Sequence, residues 1–330
     1  MAADLRLERD ALLLTLERER KPAARAEAAE ALCDLAFEAA GANKAELGQV
    51  VARLLGDHQP EVRCAGLALA SETLLPAEAQ EILVRHVNDG VPRVRLEAVG
   101  RLADLVVPSS RGALAAALED ELLAVRFEAA RGMVALKHAA GLEVLLQALE
   151  DPELRFRAAA ALARLGDRSV VPKLKKAFSA WFLPVFERTQ LAGALAVLGD
   201  ADGAAHLFKR AGKRWSVDRA MAIELLGEVR AAGAKERLLE VLRDPSDPSR
   251  GAAARGLGRL EDPTAEPALL AVLEERLVPD DIRLDVAEGL LGLGTPSARA
   301  RAAGLSFDDA NAREELKAML EETASEEGSQ

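Results

Sequence analysis

The sequence predicts an all-α protein, a solenoid of about nine stacked helical hairpins with capping helices at its ends. Three observations predict it: a composition of helix formers, an arginine-headed motif that recurs along the chain, and turn residues that punctuate the copies. Half of the 330 residues are hydrophobic, only 3% are aromatic and there is no Tyr. Ala and Leu dominate and runs of β-branched residues are scarce, which favours helix over strand. The apolar content is too high for a disordered chain, and charge interrupts it too often for a membrane-spanning one.

The motif is an Arg, a small residue three positions on, a large apolar residue four further, and Leu or Val three beyond that. It reads Arg155-Phe-Arg-Ala158-Ala-Ala-Ala-Leu162-Ala-Arg-Leu165 in one copy and Arg250-Gly-Ala-Ala253-Ala-Arg-Gly-Leu257-Gly-Arg-Leu260 in another. A third opens at Arg283 and runs through Val286 and Leu290 to Leu293. The same register falls on Arg25, Arg63, Arg95, Arg126, Arg188 and Arg219, mostly 29 to 33 residues apart, with one gap of 38 between the first two. These offsets put the apolar residues on one face of a helix with 3.6 residues per turn. Ala28, Ala98, Ala129, Ala222 and Ala253 are small enough to let neighbouring helices approach closely. A second amphipathic segment precedes each copy, as at 142–149, 171–178, 237–242 and 267–273. Turns such as Asp151-Pro152 and Asp244-Pro245 separate the two segments. A hairpin of this kind cannot bury its own apolar face and must stack on its neighbours.

This pattern resembles the HEAT-repeat family, in particular the short-repeat variety of the phycobilisome-lyase group. The stretch from Glu150-Asp-Pro-Glu-Leu-Arg155 through Gly166-Asp167 is similar to that consensus nearly letter for letter, and the resemblance spans roughly residues 4 to 295. It implies a right-handed α-solenoid with the Arg-bearing helices on the inner, concave wall and the preceding helices on the outer wall. It says little about activity, since the family includes scaffolds, adaptors, lyases and metal enzymes. Residues 1–20 read as a charged first helix, and Phe307 to Glu322 as a final helix begun at Asp308 or Asp309. One solenoid domain is expected over residues 1–322, followed by a disordered acidic tail over 323–330.

Charge narrows the partners. The formal net charge of -11 repels a phosphate backbone, so nucleic-acid binding would need a concentrated basic face. HEAT-like DNA glycosylases have such a face, whereas here the inner wall is expected to carry Glu27, Glu30, Glu97, Glu128, Glu224, Asp285 and Glu288. Residues 1–21 lack a secretory pattern, and no stretch is long enough to span a bilayer. The two cysteines, Cys33 and Cys64, fit a reducing cytosol. The expectation is a cytoplasmic, bacterial, monomeric scaffold or adaptor that binds another protein, with no cofactor and no metal.

Signatures of catalysis are absent from the sequence. His58, His86, His138 and His206 fall in separate repeats without ligand spacing. The helical-repeat hydroxylases that resemble this chain bind iron through His-Glu dipeptides, and it contains none. It has no Walker-type phosphate loop, no nucleophile elbow and no Cys-x-x-Cys. The glycines of Gly256-Leu-Gly258 and of Gly289 to Gly294 read as close-packing positions within helices. The rival to a scaffold is a lyase or isomerase subunit, like the phycobilisome-lyase relatives, acting on a tetrapyrrole or another cofactor. Cys64 is the groove residue it would use.

The marker arginines allow two readings, an anion-binding ladder or a structural one. Asp57, Asp89, Asp120, Asp151, Asp244 and Asp281 recur in the turn just upstream of a marker Arg. A guanidinium can bridge such a carboxylate and turn carbonyls of its own or the adjacent repeat, and this structural reading is adopted.

A partner is sought where the repeat departs from its pattern. The position after the marker Arg is Cys64, Leu96, Phe127 and Phe156 in four consecutive copies, but Ala26, Thr189, Ala220 or Gly251 elsewhere. Facing the groove, Leu96, Phe127 and Phe156 would form an apolar stripe rimmed by Glu97, Glu128, Arg131 and Arg157, suited to a partner helix. Facing inward, they would fill gaps between adjacent helices. The second departure is in copies six and seven, where Trp181-Phe182 and Arg210-Ala-Gly-Lys213-Arg214-Trp215 replace the upstream Asp. Trp181, Phe182, Arg210, Lys213, Arg214 and Trp215 are the makings of a binding hot spot. Alternatively, Trp181 and Phe182 form a satellite core under a longer loop, with Trp215 stacked by Arg214.

Overall fold

The computed structural model describes residues 2–35 and 44–328. Among these residues there are twenty α-helices and no strand. Two compact units divide the chain, Met1–Leu165 and Gly166–Gln330. The first holds α1 (Ala2–Arg18), α2 (Pro22–Cys33), α3 (Lys44–Leu55), α4 (Pro60–Thr73), α5 (Pro76–His86), α6 (Pro92–Asp104), α7 (Arg111–Ala117), α8 (Leu123–Ala135), α9 (Leu142–Ala148) and α10 (Arg155–Leu165). The second holds α11 (Val171–Phe178), α12 (Val185–Val197), α13 (Ala201–Ala211), α14 (Arg219–Glu228), α15 (Ala234–Arg243), α16 (Arg250–Arg259), α17 (Glu266–Leu273), α18 (Asp280–Gly292), α19 (Pro296–Ala303) and α20 (Ala310–Gly328). The expected all-α repeat architecture is formed in both.

Every marker arginine lies on an even-numbered helix. In the first unit α2, α4, α6, α8 and α10 pack in series as one layer, each backed by the odd-numbered helix before it. In the second unit α12, α14, α16, α18 and then α20 form the corresponding layer. The small residues of the motif make this possible: Ala98, Ala129, Ala158, Ala222 and Ala253 are all fully buried. Packing is tight in the second unit, where Gly227 meets the backbone of Gly256 and Gly258 that of Gly289, so that a Cβ at Gly227, Gly258 or Gly289 would clash and one at Gly256 would press on Leu238. Gly258, Gly289 and Gly292 are thus close-packing positions, whereas Gly294, also expected to be one, lies beyond α18 in open space at φ +67° and serves the turn. The cores are continuous rows of Leu, Val and Ala along each layer, among them Leu67, Leu83, Leu102 and Leu114 in one unit and Leu207, Leu226, Leu238 and Leu257 in the other.

The turns between paired helices start the even-numbered helices. Asp57, Asp89 and Asp120 each accept a hydrogen bond from the backbone N–H two residues on, at 2.9, 2.8 and 2.9 Å. Pro60 and Pro92 then occupy the first helical position of α4 and α6, where a missing N–H costs nothing.

The ends differ from the sequence reading. The charged first helix is half of a hairpin, since α1 packs on α2. The final helix belongs to a tenth pair: α19 and α20 both pack on α18, and Arg313 takes the marker position. Helix α20 runs to Gly328, past the end expected at Glu322. Of the tail expected at 323–330, residues 329 and 330 lie outside the described residues.

Candidate functional site

The marker arginines form a ladder with a consistent direction. Eight of the nine guanidiniums cap carbonyls of their own turn and five reach a carboxylate of the following hairpin. Arg283 instead binds the Asp280 carboxylate at 3.0 Å and the Ser306 carbonyl of the following hairpin at 2.9 Å. Arg63 donates to the carbonyls of Asp57 and His58 at 3.1 and 3.2 Å and grips Asp89 with two bonds at 3.2 and 2.9 Å. Arg95 repeats this on the Asp89 carbonyl (3.1 Å) and Asp120 (2.7 and 3.2 Å). Arg25 pairs with Asp57, Arg219 with Asp247, and Arg250 with Glu275. Arg126 and Arg313 show the same capping of two turn carbonyls. Burial opposes ionisation of Asp89 and Asp120, yet the hydrogen bonds from Arg63 and Arg95 hold both carboxyls below their ordinary value. The ladder therefore saturates these arginines within the fold, in line with the structural reading.

The expected apolar stripe in the first unit does not form. Phe127 is wholly buried, with the Arg157 guanidinium 4.9 Å from its ring centroid, and Leu96 is only partly exposed. Phe156 is half-exposed. Phe127 is the fifth residue of α8 and Phe156 the second of α10. Around them lies a closed charge network. Glu128 is buried and accepts from Arg131 at 2.7 Å and Arg157 at 2.6 Å, and Arg131 continues to Asp104 at 2.6 Å. Glu97 accepts from Arg101 at 2.8 Å, and Arg101 continues to Glu72 at 2.7 Å. A hollow of about 450 Å³ here is lined by Leu96, Glu97, Arg101, Glu128, Arg131 and Arg157 among others. Its charges are mutually satisfied, so it offers a partner little unspent polarity.

A second hollow, of about 720 Å³, lies along α16, α18 and α20. Two of its arginines are engaged as well: Arg255 with Glu224 and Asp285, and Arg259 with Glu224 at 2.9 Å. Burial pushes the carboxyl of Glu288, which also lines it, above its ordinary value.

The turn edge of the second unit is different in kind. Trp181 is 86% exposed, Phe182 91% and Trp215 80%, on the neighbouring turns 179–184 and 212–218. Neither tryptophan is part of a satellite core. Leu183 is the buried anchor of the first turn, and Trp181 and Phe182 meet edge to face at 6.4 Å. The sequence reading missed two further exposed apolar residues on this edge, Val217 and Leu277, because single turn residues carry no periodicity.

Not every candidate at the edge is available. Arg210 is a correction: it turns inward and binds Asp218 through bonds of 2.9 and 2.7 Å from Nε. Asp218 is fully buried and also accepts from Thr189 at 2.5 Å and from Ser216 at 2.5 Å. A buried carboxylate demands such compensation, and Arg210 supplies the charge. Burial alone would raise the Asp218 carboxyl, but these bonds outweigh it and hold the group below its usual range. Arg214 lies 5.7 Å from the Trp215 ring centroid and donates to Asp244 and the Ser246 carbonyl, both at 2.7 Å. It positions the indole and ties the turn to the next one. Lys213 is exposed.

No helix among the described residues is long and apolar enough to cross a membrane. No group of three His, Cys, Asp or Glu side chains gathers among them to hold a metal ion. Cys64 is buried and Cys33 half-buried, and burial pushes both thiols up to about 11.

Layers of helical hairpins locked by directional rungs define an α-helical repeat protein. The chain belongs to the HEAT-repeat family, whose repeats match residues 110–185 and 204–292, together half of its length. No curated protein matches the sequence. Among solved structures it is similar to the CpcE–CpcF complex of phycocyanin lyase from Nostoc sp. PCC7120, at 20% identity over 74% of this chain and 94% of that one, TM-score 0.46. It is also similar to an engineered protein, at 19% identity over 96% and 98% of the two chains, TM-score 0.38. A third is human deoxyhypusine hydroxylase, at 21% identity over 76% and 96%, TM-score 0.32.

Proposed function

We propose that this protein is a non-catalytic HEAT-repeat adaptor that docks another protein through the Trp-bearing turns of its second unit. The near-complete exposure of Trp181, Phe182 and Trp215 carries this reading. A lone exposed apolar residue needs no explanation, but large aromatic groups held in water on neighbouring turns signal an interaction site. The first unit supports the choice by contrast, since its hollow is a closed network of paired charges. The lyase reading has no comparable support, because Cys64 is buried and its thiol is poorly ionised at neutral pH. The proposal also takes the protein to act as a cytoplasmic monomer.

The test compares affinity capture by the wild type, by Trp181→Ala with Trp215→Ala, and by Arg131→Ala with Arg157→Ala. The tryptophan pair should lose the captured partner while keeping its helical circular dichroism. An unchanged capture profile for that variant, or loss only in the arginine variant, would reject the edge as the docking site.

A further inference from the structure

We infer that the partner segment bound at the Trp-bearing edge is acidic and carries large apolar anchors. The inference rests on the docking reading above and deepens it. The arginines of these two turns are already engaged: Arg188 by the carbonyls of Phe178 and Ala180 at 2.7 and 2.9 Å, Arg210 by Asp218, and Arg214 by Asp244. Asp218 and Asp244 are engaged in the same pairs. The exposed charge left beside the aromatic groups belongs to Lys176, Lys209 and Lys213, for which no ion pair forms among the described residues. A chain with a net charge of -11 thus presents a local excess of cations next to its most exposed aromatic side chains. An incoming segment must desolvate the indoles and phenyl ring with apolar anchors, and it gains from carboxylates opposite the lysines.

Two other anionic partners fit less well. Single-stranded nucleic acid stacks on open aromatic faces. Here Trp181 and Phe182 stand at 79° to each other, and Arg214 lies against Trp215. An anionic membrane would press on the whole edge, including the turn at Leu277. That exposed leucine is flanked by Arg276 but also by Glu274 and Asp281, while Glu275 and Asp280 are paired with Arg250 and Arg283, so this turn offers no excess of cations to such a surface. A segment short enough to lie across the two aromatic turns meets only the basic part.

Both tryptophans of the protein are at this edge, so its intrinsic emission reports the site directly. The probe is a displayed library of random 16-residue peptides, selected on the full chain and counter-selected on the variant with Trp181→Ala and Trp215→Ala. Selected peptides, made synthetically, are then titrated while tryptophan emission is followed. Phosphatidylserine vesicles and oligo-dT are titrated in parallel. Enriched peptides should be net acidic with at least two large apolar residues, and should shift or quench the emission. Lys209→Glu with Lys213→Glu should weaken them about tenfold and reduce their sensitivity to salt. Neutral or basic winners, or winners indifferent to the lysine reversals, would overturn the acidic class and leave edge docking intact. Winners retained by the tryptophan variant would overturn the edge itself. Failure to enrich any peptide, with or without a response to vesicles or oligo-dT, would overturn both.

Discussion

The turns of the first unit and those of the second begin from the same motif and end with opposite surfaces. In the first, Asp57, Asp89 and Asp120 start the next helix and close the preceding arginine, and these three turns themselves carry no Phe or Trp. In the second, the turn at Trp181 has no acid, and the acid of the next turn, Asp218, is withdrawn into a buried network. Arg188, the arginine between these two turns, is capped by backbone carbonyls instead. The difference shows what the turn carboxylate is for. Where a rung needs it, the turn is fixed by stability. Where carbonyls and an internal pair satisfy the guanidiniums, the turn is released to carry other residues.

The largest expected effects come from groups that the fold cannot lose. Phe127→Ala should destabilise by about 3–5 kcal/mol, since its ring is fully buried. Asp218→Ala should cost a similar ~3–5 kcal/mol by stranding Arg210 beside Thr189. Urea unfolding followed by circular dichroism measures both. A value below 1 kcal/mol for Asp218→Ala would mean that the second unit's turns are not held from within.

The rungs come next. Arg95→Ala should cost about 1–3 kcal/mol, as it removes a charged donor from a largely buried carboxylate. Arg126→Ala, whose acceptors are two turn carbonyls and Gln147, should fall at the lower end of that range. The opposite order would break the account of the turn carboxylates.

Acid should then loosen both kinds of turn. Asp89, Asp120 and Asp218 have folded-state values below the ordinary carboxylate value of about 3.9. Their contribution is fully present above that value and fades as pH falls through the folded-state values. Urea midpoints should therefore drop below about pH 4, and Asp218→Asn should show a smaller acid-dependent loss than the wild type. An equal loss would remove Asp218 from the acid response.

The smallest effects belong to the exposed aromatic groups. Trp181→Ala with Trp215→Ala should change stability by no more than about 0.5 kcal/mol per residue. Because both indoles already face water, unfolding should alter the wild-type emission maximum little while circular dichroism reports loss of helix. A strongly blue-shifted native emission would show that the edge is covered.

The hairpins were legible because the 3.6-residue spacing and the Arg register are properties of single helices and recur many times. Arg313 was missed because Leu316 stands where a small residue was sought, and charged neighbours mask the apolar face of α20. At the edge, Trp181, Phe182 and Trp215 stood out by type alone, but the withdrawal of Arg210 could not be read. Its acceptor, Asp218, lies eight residues downstream, immediately before the next marker arginine, and only the folded turn brings the two together. In the groove Phe127 and Phe156 share a register, and only the fold shows that one is buried and the other half-exposed.

The direction of the ladder has a consequence for how such a chain can change in length. Each rung takes its donor from one hairpin and its acceptor from the following one, as Arg63 does with Asp89 and Arg95 with Asp120. Successive hairpins are therefore linked like monomers of a head-to-tail polymer, each with a donor end and an acceptor end. Duplicating the α5–α6 pair would supply an acceptor for Arg63 and a donor for Asp120, and so regenerate the linkage on both sides. Inserting a hairpin whose turn carries no carboxylate would end the series at that point.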